Sequence, residues 1–84
     1  MSTKDKQVVL SALREIEFIW VGREIRKWFF GEIIGWNVCS SSIVRKKFTL
    51  ERLREEIVVR QLPLEIIDED DMLNSFRVYL KEAA

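Results

Sequence analysis

The clearest pattern of hydrophobic and polar positions lies in the second half of the chain. Leu53 and Ile57 belong to a series of apolar residues spaced three or four positions apart, as on one side of an amphipathic helix. Thr49 can cap the first turn of this helix. Pro63 disfavours helical geometry in the residue before it. We therefore predict a helix over about residues 50–61.

A further helix is predicted over about residues 69–82. Asp68 can cap it, and the acidic residues that follow Asp68 are favoured near the positive end of the helix dipole. The apolar stripe of this helix consists of Met72, Leu73, Phe76, Tyr79, Leu80 and Ala83. The connector QLPLEIID, residues 61–68, can be a plain turn or a short extended segment.

The first half of the chain is ambiguous because its apolar phase changes near Gly22. At about 100° per residue, one side of a helix carries Val9, Leu13, Ile16 and Trp20, and nearly the opposite side carries Phe18, Val21, Ile25, Trp28, Phe29 and Trp36. The pattern predicts one long helix or two helices of about 6–20 and 23–35, and a strand at EIEFIWV, residues 15–21, is a further alternative. We favour helices, which predicts an all-α fold: a compact bundle of three to four short helices in a single small domain, residues 1–84. The predicted core is Leu13, Ile16, Val21, Ile25, Trp28, Phe29, Leu53, Ile57, Phe76 and Leu80.

Composition places the chain among small domains that fold in water. It has 84 residues, of which 48% are hydrophobic and 33% charged, a balance typical of neither disordered nor membrane-embedded chains. The formal net charge is zero. Residues 1–47 nevertheless carry nine Lys and Arg against five Asp and Glu, whereas residues 48–84 carry five against nine. This polarity suits either contact within one protomer or head-to-tail pairing of two.

The inventory of reactive side chains argues against catalysis and metal binding. The chain has no histidine and a single cysteine, Cys39, so His-based nucleophile pairs and the common zinc sites are excluded. The acidic run DEDD, residues 68–71, lacks the glycine and spacing of a calcium loop. We expect a non-enzymatic protein without a cofactor or metal site. The lone cysteine and the absence of a signal sequence or charge-free span predict a cytoplasmic, intracellular protein with no integral membrane span.

An unusual aromatic stretch, EFIWVGREIRKWFFGEIIGW, spans residues 17–36 and holds six of the nine aromatic residues in the chain. If it is helical, one side can dock on the domain, which leaves a second apolar and basic side without a partner. Such mixed surfaces are enriched at protein interfaces. We predict a protein-protein interaction module, either self-associating as a homo-oligomer or acting as an adaptor or regulator. Its predicted binding residues are Trp20, Arg23, Arg26, Lys27, Phe30 and Ile34.

Three alternatives to this interpretation remain open. A helix buried on both sides needs no partner, and a helix with tryptophan and basic residues can also lie at a membrane surface. The third alternative is nucleic-acid binding, because residues 31–48 loosely resemble a helix-turn-helix with Gly31 where two helices would approach and Gly35 at the turn. The resemblance implies a DNA-binding regulator that uses the Ser40 to Lys47 segment. Its contacts would be Ser41, Ser42, Arg45, Lys46 and Lys47.

Overall fold

The computed structural model describes residues 2–67 and 74–81. They form two helices and one four-stranded antiparallel sheet, in which the strands lie in the order β1-β2-β4-β3. The elements are α1 (Thr3–Arg14), β1 (Ile19–Arg26), β2 (Ile33–Ser40), α2 (Lys46–Val59), β3 (Leu64–Ile67) and β4 (Ser75–Leu80). The fold is therefore α+β, and the prediction of an all-α helical bundle is wrong.

The aromatic stretch forms the β1–β2 hairpin rather than the predicted helix over residues 23–35. In β2, Trp36 and Val38 are buried while Cys39 between buried neighbours is exposed, which is the period-two pattern of a strand with one covered face. The strand alternative at EIEFIWV is correct from Ile19 onward. A bulge after Val21 shifts the register of β1 and explains why its own alternation is hard to read.

Helix α1 begins earlier and ends earlier than the predicted helix over residues 6–20. Ser2 and Asp5 form a reciprocal capping box at its start. The helix is capped at its end by Glu15. Phe18 then adopts a φ of 68°, a left-handed conformation that redirects the chain into β1.

Helix α2 confirms a helix in the region of residues 50–61 but corrects its start. Lys46 begins the helix, and Arg45 is the N-cap with no side-chain cap hydrogen bond. Thr49 is not the cap: it is buried within the helix, with its hydroxyl 2.7 Å from the Ser40 hydroxyl. At the other end, Gln61 has a φ of 54° and Pro63 follows.

The connector QLPLEIID contains β3, so the extended alternative is the correct one. The helix predicted over residues 69–82 is wrong in the described part, because Ser75–Leu80 is a strand paired on both sides, with β2 and with β3. Phe76, Val78 and Leu80 turn to the helix-covered side of the sheet, a period of two rather than four. The proposed Asp68 cap and acidic run lie outside the described residues.

The core lies between the two helices and one face of the sheet. Leu13, Val38, Leu53 and Val78 have no exposed surface in it. Among the predicted core residues, Leu13, Ile16, Leu53 and Phe76 are buried, and Val21, Ile25, Ile57 and Leu80 are half-buried. Trp28 and Phe29 are 69% and 94% exposed. Their assignment to the core is wrong because they lie at the turn of the hairpin, beyond the end of the sheet.

Candidate functional site

The two most exposed large apolar residues of the described chain, Phe29 and Phe30, are at the turn between β1 and β2. Trp28, Phe29 and Phe30 follow one another there, and Phe30 is 99% exposed. We call these three residues the aromatic tip. Large aromatic side chains are usually buried because each removes roughly 150–250 Å² of surface from water. Three consecutive exposed aromatic residues are therefore the feature of this molecule that most needs a functional explanation.

Backbone hydrogen bonds hold the aromatic tip in a defined turn. The Gly31 amide donates to the Trp28 carbonyl at 3.0 Å, and the Lys27 amide donates to the Glu32 carbonyl at 3.1 Å. Phe29 and Phe30 thus occupy the two central positions of a four-residue turn. A Cβ at Gly31 would come within 2.7 Å of the Trp28 ring, so only glycine fits under that ring.

Arg26 ties the turn to the end of β1. Its Nη1 donates to the Gly31 carbonyl at 3.0 Å, and its Nη2 lies 2.7 Å from Glu24 Oε1. On the other side of the turn, Lys6 of α1 contacts Glu32 at 3.2 Å. The hydrogen bond and the charge of Lys6 lower the pKa of Glu32. Contacts with both β1 and α1 therefore orient the aromatic tip.

The positive charge around the tip comes from Arg23 and Lys27. Lys27 Nζ lies 5.5 Å from the centre of the Trp28 ring, within cation–π range. Within the described residues Arg23 has no ion pair, whereas Glu24 and Glu32 are engaged by Arg26 and Lys6. A shallow depression lined by Arg23, Glu24, Arg26, Trp28 and Phe29 joins the tip to the bulge of β1. The surface is apolar at its apex and cationic around its base.

The predicted binding residues divide into two groups. One group is at or beside the hairpin turn. Phe30 belongs to the aromatic tip, Arg26 ends β1 and Lys27 follows it, and Arg23 lies at the bulge of β1. The other two predicted residues are elsewhere: Trp20 is on β1 opposite Cys39 and is 63% exposed, and Ile34 is half-buried in β2. The sequence interpretation missed Trp28 and Phe29 as surface residues. The Gly31 after three aromatic residues is the signal that could have indicated a turn.

The nucleic-acid segment has a different geometry from a helix-turn-helix. Ser40 ends β2, residues 41–45 form a loop, and Lys46 and Lys47 begin α2, so a strand precedes the loop where the motif requires a helix. Gly35 is in the middle of β2. Ser41 is only 7% exposed, so it cannot contact a nucleic-acid groove. Ser42, Arg45 and Lys47 are exposed. Nucleic-acid binding by the exposed members of this segment stays a prediction.

In residues 2–67 and 74–81 no group of three or more His, Cys, Asp or Glu side chains is arranged to hold a metal ion. Nor does either helix combine the length and apolar character needed to cross a bilayer. No protein-family model matched the sequence, and no significant match was found among curated proteins or solved structures. A functional hypothesis therefore depends on the geometry of the chain itself.

Proposed function

We propose that this chain is a small protein-interaction module that binds a protein partner, either another protein or a second copy of itself, through the aromatic tip. The observation that carries the proposal is the exposure of Phe29 and Phe30, at 94% and 99%, on a turn closed by backbone hydrogen bonds. The surface is part of a β-hairpin, which replaces the helix surface predicted from the sequence.

The energetics of burial favour a binding role for the tip. Transferring one large apolar side chain from water to an interface contributes roughly 1.5–3 kcal/mol. Aromatic residues and arginine are also enriched among the residues that dominate binding energy at protein interfaces. Because the turn already holds the tip in one conformation, binding loses less conformational entropy than it would for a flexible loop. Arg23 and Lys27 can meet polar or acidic groups at the rim.

The proposal is tested by replacing the two most exposed aromatic residues together, as Phe29→Ser with Phe30→Ser. Sedimentation velocity at high protein concentration and binding of a hydrophobic dye are compared with the native chain. We expect the native chain to associate or to bind the dye, and the variant to lose both. The matched control is Val8→Ser, because Val8 is also exposed, at 63%, but lies on α1 away from the hairpin.

Three results would count against the proposal. The first is a native chain that stays monomeric and binds no dye. The second is equal loss of association in the Val8→Ser control, which would indicate that apolar surface in general is responsible. The third is a tip-dependent affinity for lipid vesicles without affinity for any protein, because exposed aromatic residues beside cations also suit a membrane surface.

A further inference from the structure

A second exposed surface with apolar residues lies on the outward side of α2. Val58 and Val59 are 76% and 78% exposed, and Phe48 is 52% exposed. At about 100° per residue, these three side chains fall within about 100° of the helix circumference together with Glu51 and Glu55. We call these five residues the α2 strip. It is the opposite side of the helix from Leu50 and Leu53, which are buried against the sheet.

The middle of the α2 strip is negatively charged. Glu51 and Glu55 are exposed, and within the described residues neither forms an ion pair. The cations of α2 lie on the borders of the strip: Arg52 contacts Glu56 at 3.7 Å on one border. Lys47 and Arg54 lie on the other border, so the acidic character is confined to the strip itself.

Charge distinguishes the ways in which two copies can associate. Two tips placed together would bring Arg23 and Lys27 of each copy close to each other, and two α2 strips would do the same for Glu51 and Glu55. Like charges placed opposite each other at an interface oppose association by several kcal/mol. When the tip of one copy faces the α2 strip of another, apolar surfaces meet, and Arg23 and Lys27 lie opposite Glu51 and Glu55. Trp20 and its surroundings are a poorer receptor for the tip, since the exposed charges near them on that face of the sheet include Arg23 and Arg77.

We infer that the partner of the aromatic tip is a second copy of this chain, bound through its α2 strip. This inference rests on the function proposed above. Because the tip and the α2 strip are different surfaces, the contact between two copies is heterologous. In such a contact each protomer keeps one unoccupied tip or strip, so further copies can add until a ring closes or an open chain forms. Tip and strip are on separate elements, β1–β2 and α2, so both can be engaged at once.

The available area is close to what a specific interface requires. The three aromatic residues of the tip supply roughly 450–750 Å² if each buries the usual area. The charged rim adds to this, and a standard interface buries about 800 Å² per partner. The area is therefore sufficient for association, and the quality of the contacts sets its strength.

The inference is tested with two charge-reversed variants and their mixture. The tip variant combines Arg23→Glu with Lys27→Glu, and the strip variant combines Glu51→Lys with Glu55→Lys. Each variant alone should associate at least about tenfold more weakly than the native chain in sedimentation velocity, as expected for a loss of about 1.4 kcal/mol. In the 1:1 mixture the intact tip of one variant faces the intact strip of the other and the reversed tip faces the reversed strip, so association should return to about the native level.

A chain with all four reversals should regain association, because opposite charges again face each other. The control is Glu17→Lys, an exposed acid outside the strip, which should associate as the native chain does. Circular dichroism establishes that each variant is folded. If the tip variant does not fold, Lys27→Glu alone is used in its place. If the strip variant does not fold, Glu55→Lys alone is used, and each single substitution reverses one charge of the surface rather than two.

The outcomes separate this inference from the proposed function. If the tip variant loses association but the strip variant associates normally, the tip binds elsewhere and the inference is overturned while the proposed function stands. If the native chain is monomeric but its tip binds another protein, the inference again fails alone. If neither variant changes association, the inference fails, and the Phe29→Ser with Phe30→Ser variant then decides the proposed function. A mixture that associates no better than either variant alone also contradicts the inference.

Discussion

Lys6 of α1 extends its ammonium group to Glu32, at the base of the hairpin, with 3.2 Å between Nζ and Oε2. Lys6 is only 9% exposed, so most of its side chain is covered while its ammonium group reaches the exposed carboxylate of Glu32. The contact joins residues 26 positions apart in the chain. It fixes the orientation of the aromatic tip relative to the helices.

This contact predicts a specific pH dependence of stability. The hydrogen bond and charge of Lys6 lower the pKa of Glu32 below its ordinary value of 4.5, so in acid the unfolded chain binds this proton more tightly than the folded chain. The stabilisation is complete above the unfolded pKa and is lost as the pH falls through the folded pKa. The difference in free energy of unfolding between the native chain and Glu32→Gln should therefore shrink as the pH is lowered from 7 to 3.

Urea denaturation at a series of pH values measures this difference. The effect should be modest, because the Glu32 side chain is 62% exposed and solvent screens the pair. Glu17→Gln is the control, since Glu17 is exposed and forms no ion pair within the described residues. A Glu32→Gln difference that stays constant over the whole pH range would contradict the assignment.

Gly35 should be intolerant of a side chain. A Cβ at this position would overlap the Val78 carbonyl oxygen and lie 3.0 Å from the Tyr79 Cα. Because both neighbours are backbone atoms of β4, the sheet itself must shift to admit a methyl group. We expect Gly35→Ala to lower the free energy of unfolding by roughly 1–3 kcal/mol.

The matched comparison for Gly35 is Gly22→Ala on the edge strand. A Cβ there meets only the Asn37 carbonyl oxygen, at 3.4 Å, which is ordinary contact. Thermal or urea denaturation should show the larger loss for Gly35→Ala. Equal stability of the two variants would mean that β2 and β4 are not as close at Gly35 as described.

A buried pair of hydroxyl groups links the end of β2 to α2. Ser40 Oγ and Thr49 Oγ1 are 2.7 Å apart, and both residues are 2% exposed. Removing one hydroxyl deprives the other of its shortest hydrogen bond, which lowers the free energy of unfolding by about 1–3 kcal/mol. We predict that Ser40→Ala with Thr49→Val destabilises the fold by less than the sum of the two single substitutions.

A double-mutant cycle from urea unfolding measures this coupling. Ser42→Ala is the control, since Ser42 is exposed in the adjoining loop and its change should stay within about 0.5 kcal/mol. Strict additivity of Ser40→Ala and Thr49→Val would show that the two hydroxyls act independently.

The sequence contained part of the information needed for this fold. The alternation of Trp36 and Val38 with polar Asn37 has the period of a strand, and Phe76, Val78 and Leu80 repeat it in β4. These strands could have been predicted, but the same residues also satisfy short stretches of helical spacing. The two helices were found in outline, from Leu13 and from Leu53 with Ile57.

Strand β1 and the hairpin turn after it had weaker signals in the sequence. In β1 the exposed Trp20 stands between inward-facing Ile19 and Val21, so the strand is apolar on both faces and does not alternate. The hairpin turn has aromatic residues at its centre instead of the usual Asn and Gly. For the candidate site, an apolar surplus in residues 17–36 could be recognised from the sequence. Periodicity carries no information about where a hairpin reverses, so the only local signal for its position at a turn was Gly31.

The most direct test of the binding role of the tip is photocrosslinking from position 30. A photoreactive phenylalanine analogue replaces Phe30 in one sample and Val8 in another, and both are irradiated as purified protein at high concentration and in the cells that produce them. We expect covalent protein adducts from position 30 and few from position 8. Irradiated chains that remain free of protein adducts at position 30, or equal adducts from both positions, would contradict it.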